Sequence, residues 1–141
     1  FVPISDTPDG REYPEPRRPG MYALDIATGE FLWKAPSENV CREEQTICEP
    51  GYAGAITATP ELVIAGSIDG HLRIFDAGSG EILWDYDTAT EFDAVAGDKA
   101  TGGAFGGGAA PIAYRGQLIV NSGYGFARKM PGNALLVFEV D

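Results

Sequence analysis

The chain has 141 residues, 44% of them hydrophobic, and 21 acidic against 10 basic residues give it a formal net charge of −11. This length and composition suit a globular core and do not indicate disorder. The acidic charge repels nucleic-acid phosphates and anionic lipids, so neither is an expected partner, whereas a basic protein partner is attracted. The alternative is that the charge only keeps the protein soluble. No signal peptide and no membrane span is recognisable.

A nine-residue phrase organises the beginning of the chain. Strands are predicted at 1–4, near 20–26 and near 30–35, with a Pro-rich insert at 5–19. The second and third are joined through Asp25-Ile-Ala-Thr-Gly-Glu-Phe-Leu-Trp33, which returns 51 residues later as Asp76-Ala-Gly-Ser-Gly-Glu-Ile-Leu-Trp84. Five identical positions and a Thr-to-Ser exchange indicate a tandem repeat, in which residues 1–36 form an incomplete unit.

The two cysteines of the chain, Cys41 and Cys48, lie in a loop predicted at 37–50. The loop has no strand pattern, and because no histidine cluster accompanies the thiols, a zinc site is disfavoured. A disulfide would close a small surface loop, stabilise the fold by about 2–3 kcal/mol and indicate an oxidising compartment. Two reduced thiols are the alternative.

The second unit, residues 51–87, is predicted as a complete blade. In its turn, Asp76 accepts hydrogen bonds from the backbone and Gly80 takes a positive φ. Trp33 and Trp84 are predicted to end the fourth strands of their units and to pack into the adjoining sheet, which makes them structural docking residues. The four strands of the unit are predicted near 54–59, 61–66, 70–76 and 80–86.

The last unit, residues 102–141, is predicted as a blade that lacks its fourth strand. Its strands are expected near 106–113, 116–122 and 133–140. The small residues of Gly51–Gly54 and Gly106–Ala110 are assigned to the first, innermost strands, where converging blades leave no room for large side chains.

Four-stranded meanders repeated at this spacing predict an all-β fold, a partial β-propeller of two to three blades. Such an array has two uncovered faces. We therefore expect the chain to be one piece of a single larger propeller domain, to take its missing strand from the remainder of that propeller, and to aggregate or self-pair when isolated.

Several further motifs carry a family resemblance. Both phrases are similar to the repeat Ala-x-Asp-x-x-Thr-Gly-x-x-x-Trp, and Ala65–Asp76 is similar to Gly-Thr-x-Asp-Gly-x-Leu-x-Ala-x-Asp. These are motifs of the pyrroloquinoline-quinone (PQQ) dehydrogenase propellers with tryptophan-docking repeats. Trp84–Thr88, Phe92–Gly97 and Asn121–Phe126 further resemble polyvinyl-alcohol dehydrogenase-like proteins. The resemblance implies the C-terminal part of an eight-bladed ring.

The resemblance also implies a function. Enzymes of this family oxidise alcohols with PQQ and calcium, pass electrons to a cytochrome c, and are periplasmic or secreted. The alternatives are a non-catalytic propeller scaffold similar to the outer-membrane assembly lipoprotein and a polysaccharide-binding propeller, since a fold alone does not define a function. No segment resembles the family's catalytic-base or calcium motifs, so no catalytic or metal-binding residue is assigned, and both cofactors are expected to be held mainly by parts outside this chain.

In a propeller, the loops between second and third strands and those between blades emerge on one face, where the resemblance implies that the cofactor lies. Asp69 before Gly70 is also typical of a simple turn. Tyr124 and Phe126, beside Arg128, fit a substrate cleft, a partner surface or an ordinary loop equally. The candidate cofactor-binding residues on this face are Ser67, Asp69, Gly102, Gly103, Asn121 and Tyr124.

Overall fold

A computed structural model describes residues 1–139, and within them every element except one helical turn is a strand. The turn is a 3₁₀ turn at Phe126–Arg128, three residues long and far too short to cross a bilayer. The strands are β1 (Val2–Ile4), β2 (Gly20–Leu24), β3 (Phe31–Pro36), β4 (Thr57–Ala58), β5 (Leu62–Gly66), β6 (His71–Asp76), β7 (Ile82–Asp87), β8 (Glu91–Asp93), β9 (Lys99–Thr101), β10 (Ile112–Tyr114), β11 (Gln117–Ser122) and β12 (Ala134–Glu139).

The strands form three successive antiparallel sheets and one small hairpin. The sheet orders are β1-β2-β3, β4-β5-β6-β7 and β10-β11-β12, and β8 pairs with β9 as the separate hairpin. Every sheet follows the order of the chain, so each is a meander. The predicted fold class, an all-β partial propeller, is confirmed.

The prediction for the first strands of the second and third sheets is wrong. The small residues at Gly51–Gly54 and Gly106–Ala110 do not lie within first strands, because β4 and β10 begin only at Thr57 and Ile112. The glycines instead form irregular backbone at which two segments touch: Gly54 and Gly107 make an isolated parallel bridge. The β8–β9 hairpin was not predicted, because its two strands are only three residues long.

The repeated phrase builds the same turn twice. The Asp76 carboxylate accepts hydrogen bonds from the N–H groups of Gly78 and Ser79, at 3.0 and 2.7 Å, and from the Ser79 hydroxyl at 2.9 Å. These bonds, chiefly those from Ser79, hold the pKa of Asp76 below its usual range. Gly80 completes the turn with a φ of 76°, a value that glycine adopts without steric cost.

Trp33 joins the first sheet to the second. Its side chain is 8% exposed, and its indole N–H donates a hydrogen bond to the carbonyl oxygen of Ala77, 2.9 Å away. The ring covers Gly80 so closely that a Cβ at that residue would lie 2.5 Å from a ring carbon. Trp33 is the third residue of β3 rather than its last, so its predicted position at the strand end is wrong. It belongs to a core of Met21, Ala23, Trp33, Tyr52, Val63, Ala65 and Phe75.

A second core lies between the second and third sheets. Trp84, the third residue of β7 and likewise not at its end, stacks on Tyr86 and contacts the edge of Phe138 in β12, with ring centroids 5.3 Å from Phe138. Phe105 fills the space over Gly66, where a Cβ would lie 2.1 Å from the phenyl ring. The buried members of this core are Ile64, Leu72, Phe105 and Val120.

The outer faces of the first and third sheets are apolar and exposed. On the third sheet, Ile112, Leu135 and Val137 are 58%, 65% and 51% exposed. On the first sheet, an open cleft of about 640 Å³ follows Val2 and Tyr22 along β1 and β2. Apolar sheet faces of this kind are normally covered by a neighbouring layer, as propeller blades cover one another.

We predict that Trp33→Ala lowers the free energy of unfolding by about 3–5 kcal/mol, because it empties the contact between two sheets and removes a buried hydrogen bond. Ile26→Ala is the matched control, since Ile26 lies in the turn before β3 and is fully exposed, and its loss is expected to cost less than about 0.5 kcal/mol. Urea unfolding of the intact protein measures both. Equal effects of the two substitutions would contradict the docking role.

Candidate functional site

The loops at one end of the sheets form a continuous layer. The layer comprises residues 37–56, 67–70, 88–111 and 123–133, and we call it the loop face. Main-chain bonds connect its segments: Ile68 N–H donates to Gly51, Phe105 N–H to Ser67, and Ala104 N–H to Met130, at 2.8, 3.1 and 2.9 Å. Any ligand on this side of the sheets contacts residues whose positions depend on one another.

Ser67 and Asp69, two predicted cofactor residues, are buried beneath the loop face. Ser67 is fully buried, and its hydroxyl donates a hydrogen bond to the carbonyl oxygen of Gly51 at 2.8 Å. Asp69 is 2% exposed, accepts a hydrogen bond from the His71 N–H at 3.0 Å and forms a salt bridge with Arg73 at 3.2 Å. Both side chains are engaged in internal bonds.

Arg73 is the centre of a buried polar network that the sequence reasoning missed. Its Nε–H donates to Asp85 at 2.9 Å, and the same carboxylate contacts Nδ1 of His71 at 2.6 Å. Burial lowers the pKa of the Arg73 guanidinium, but the combined effects of Asp69, Tyr52 and Asp85 outweigh it and the net pKa is raised. Burial raises the pKa of Tyr52, whose hydroxyl accepts from Arg73 at 3.4 Å. Arg73 is therefore held in its charged form.

Gly102 and Gly103, also predicted cofactor residues, lie where loop segments cross. A Cβ on Gly102 would lie 1.8 Å from the carbonyl oxygen of Thr88, and one on Gly103 would lie 2.4 Å from that of Pro131. The Ser122 hydroxyl stabilises this crossing. It accepts a hydrogen bond from the Gly103 N–H at 2.8 Å and is hydrogen-bonded to the Thr88 hydroxyl at 2.7 Å. The two glycines permit a close crossing of three segments.

Asn121 and Tyr124 meet at a cavity of about 400 Å³. The Tyr124 ring lies on Gly106, where a Cβ would be 2.3 Å from a ring carbon, and Tyr124 remains 37% exposed. Asn121, at the end of β11, is exposed. Of the predicted cofactor residues, the structure brings these two together at one cavity. The cavity is lined by Phe105–Ala109, Asn121–Tyr124 and Gly132–Leu135.

Phe126 projects from the loop that carries Tyr124. It is 72% exposed, and its ring centroid lies 6.1 Å from that of Tyr124. The two residues after it, Ala127 and Arg128, both have left-handed backbone, with φ of 53° and 59°. Residues other than glycine rarely adopt this backbone conformation, so the tip of the loop is locally strained.

The predicted disulfide is confirmed, because Cys41 and Cys48 are bonded to each other. The loop that they close contacts the rest of the loop face through Arg42 and Gln45, which the sequence reasoning also missed. Across residues 1–139, no three His, Cys, Asp or Glu side chains lie close enough together to bind a metal ion.

One sequence signal could have revealed the Arg73 network. Arg73 interrupts an otherwise apolar strand, Leu72–Phe75, and a charge within a buried strand requires a partner. Asp69 precedes it by four residues and is the nearest carboxylate in sequence on that side. No comparable signal exists for Gln45, whose partner Met130 lies 85 residues away.

Two curated proteins match the chain over 88% of its length. One is a polyvinylalcohol dehydrogenase of Pseudomonas sp., 40% identical over 134 residues, and the other a polyvinylalcohol dehydrogenase of Sphingopyxis sp. (strain 113P3), 39% identical over 137 residues. The resemblance to polyvinyl-alcohol dehydrogenase-like proteins is confirmed. The chain spans 21% of the length of each relative. No protein-family model matches it.

We predict that Asp69→Ala lowers the free energy of unfolding by about 3 kcal/mol, because it leaves the buried Arg73 with only one carboxylate partner. Asp93→Ala is the control: Asp93 is paired with Lys99 on the exposed hairpin, its side chain 88% exposed, and its loss is expected to cost less than about 1 kcal/mol. Chemical denaturation distinguishes the two. A loss no larger for Asp69→Ala than for Asp93→Ala would be evidence against a structural role of the pair.

Proposed function

We propose that the chain is part of a quinoprotein oxidoreductase that oxidises alcohols with PQQ and passes electrons to a cytochrome c. The observation that carries this proposal is the 39–40% identity to two polyvinylalcohol dehydrogenases over 88% of the chain. Identity at this level extends well beyond the repeats that any tryptophan-docked propeller needs. It favours an enzyme over a non-catalytic scaffold, which requires only the fold.

The cavity at Asn121 and Tyr124 fits one part of PQQ, which accepts two electrons from the alcohol when it is bound. The partly exposed ring of Tyr124 offers a flat surface for a planar ring system, and the Asn121 amide offers a hydrogen-bond donor for a quinone or carboxylate oxygen. The glycines at Gly106–Gly108 leave backbone accessible beside them.

The cavity does not supply the charges that PQQ and calcium require. PQQ carries several carboxylates, yet no Lys or Arg is among the described residues that line the cavity. Calcium needs several oxygen ligands, and residues 1–139 contain no cluster of carboxylates that could provide them. The proposal therefore assigns one wall of the cofactor site to this chain, and the catalytic base, calcium ligands and cationic groups to the remainder of the protein.

The proposed compartment and electron acceptor rest on two observations. The Cys41–Cys48 disulfide is favoured by an oxidising compartment, which supports a periplasmic or secreted location. The net charge of −11 favours encounter with a basic redox protein and supports a cytochrome c as the acceptor.

We predict that the intact protein binds PQQ in the presence of calcium and reduces an artificial acceptor when given secondary alcohols. Tyr124→Ala is expected to weaken PQQ binding by about tenfold, the size of one lost aromatic contact of about 1.4 kcal/mol. Phe126→Ala is the matched control, since Phe126 is on the same loop but does not line the cavity. Isothermal titration calorimetry measures the PQQ affinity of the wild-type protein and of both variants.

Two results would count against the proposal at different levels. If the intact wild-type protein fails to bind PQQ with calcium present, the quinoprotein function is wrong and a scaffold role is favoured. If the wild-type protein binds PQQ but Tyr124→Ala binds it equally well, the function stands and the cavity is not part of the cofactor site.

A further inference from the structure

The disulfide-closed segment lies across the loop face and contacts the loops of all three sheets. We call residues 38–49 the strap. At its end, Glu49 pairs with Arg17 in the loop after β1, at 3.0 Å. In its middle, Arg42 forms a salt bridge with Asp87 at the end of β7 and donates to the Ala89 carbonyl oxygen at 3.0 Å. Each of these contacts is made by a long polar side chain.

A fourth contact reaches the third sheet. The Gln45 amide donates to the sulfur of Met130 at 3.8 Å, across 85 residues of sequence. Met130 in turn accepts the hydrogen bond of the Ala104 N–H at 2.9 Å, and the Ala104 carbonyl oxygen accepts from the Tyr124 N–H at 2.8 Å. Gln45 in the strap is thus linked to Tyr124 in the wall of the cavity through two intervening residues, Met130 and Ala104.

The disulfide orients the two side chains that make the inner contacts. Arg42 and Gln45 both lie between Cys41 and Cys48. The Arg42 N–H donates to the side-chain oxygen of Gln45 at 2.8 Å, and the Gln45 N–H donates to the carbonyl oxygen of Arg42 at 3.0 Å. The closed ring therefore presents Arg42 and Gln45 as a unit.

Little else holds the strap in place. All of its residues are described, and none belongs to a strand or helix. Its apolar side chains, Val40 and Ile47, are 39% and 44% exposed, and neither belongs to the two hydrophobic cores. A segment with few apolar contacts and no regular backbone bonds is expected to open at low free energy once its cross-link is removed.

We propose that the strap is a redox-sensitive clamp on the loop face. With the Cys41–Cys48 bond intact, Arg42 and Gln45 hold the loop after β7 and the Met130 segment, and thereby the Tyr124 wall of the cavity. A dithiol reductant opens the clamp in two steps. One of its thiolates attacks a cysteine sulfur, which forms a mixed disulfide and releases the other cysteine. Its second thiol then attacks the reductant's own sulfur in the mixed disulfide and releases the remaining cysteine. The products are two cysteine thiols and the oxidised, disulfide form of the reductant.

Hydrogen exchange of the intact protein, before and after dithiothreitol treatment and alkylation, tests the proposal. The expected result of reduction is exchange about tenfold faster at Ala104 and Tyr124, whose N–H groups are bonded along the Met130 path, with little change in β5 and β6. Gln45→Ala keeps the disulfide but removes the contact with Met130 and the side-chain bond to the Arg42 N–H. It is expected to accelerate the same two amides without reductant. Thr46→Ala, an exposed change within the same ring, is the matched control and is expected to have no effect.

Each of two outcomes would overturn the proposal. Faster exchange confined to residues 38–49 after reduction would show that the strap moves without affecting the rest of the loop face. Equal acceleration in β5 and β6 would show that the disulfide stabilises the whole fold and does not act on one layer. Because the protein is reduced after folding, neither outcome depends on a variant that fails to fold.

Discussion

The contact of Trp33 with the Ala77–Gly80 turn is the interaction on which the arrangement of the sheets depends. Neighbouring sheets of a propeller diverge from their first strands toward their last, so the space between them widens. Near the first strands the chains touch without side chains, at Gly54 and Gly107. At the last strand of the first sheet, the largest side chain in the protein fills the gap and its N–H satisfies a carbonyl group of the next sheet. This contact fixes the position of the first sheet against the second.

The repeat explains how the sheets are built, and the differences between repeats explain the shape of the loop face. The second sheet joins its middle strands through a short turn in which Ser67 and Asp69 are buried. The third sheet replaces that turn with residues 123–133, which carry Tyr124 to a cavity and Phe126 into solvent. The loop face therefore differs from one repeat to the next, while the sheets beneath it follow the common pattern.

Local signals predicted the fold well, and contacts between distant segments limited the prediction of the site. The Asp76 turn, the strands beside it and the disulfide depend on residues close in sequence, and the structure contains all of them. Gly102 is a predicted cofactor residue, and the structure places it at the crossing with Thr88. Asp69 is predicted as a cofactor residue or a turn former, and the structure pairs it with Arg73 in the next strand. A pairing such as Gln45 with Met130, across 85 residues, appears only in the folded chain.

An experimental structure of the intact protein with PQQ bound tests the fold and the proposed site together. We expect neighbouring four-stranded sheets to cover the outer apolar faces, burying Tyr22 on one side and Leu135 and Val137 on the other, and the cofactor to lie on the loop face near Tyr124. Solvent-exposed outer faces, or PQQ bound at the opposite end of the sheets, would contradict this expectation.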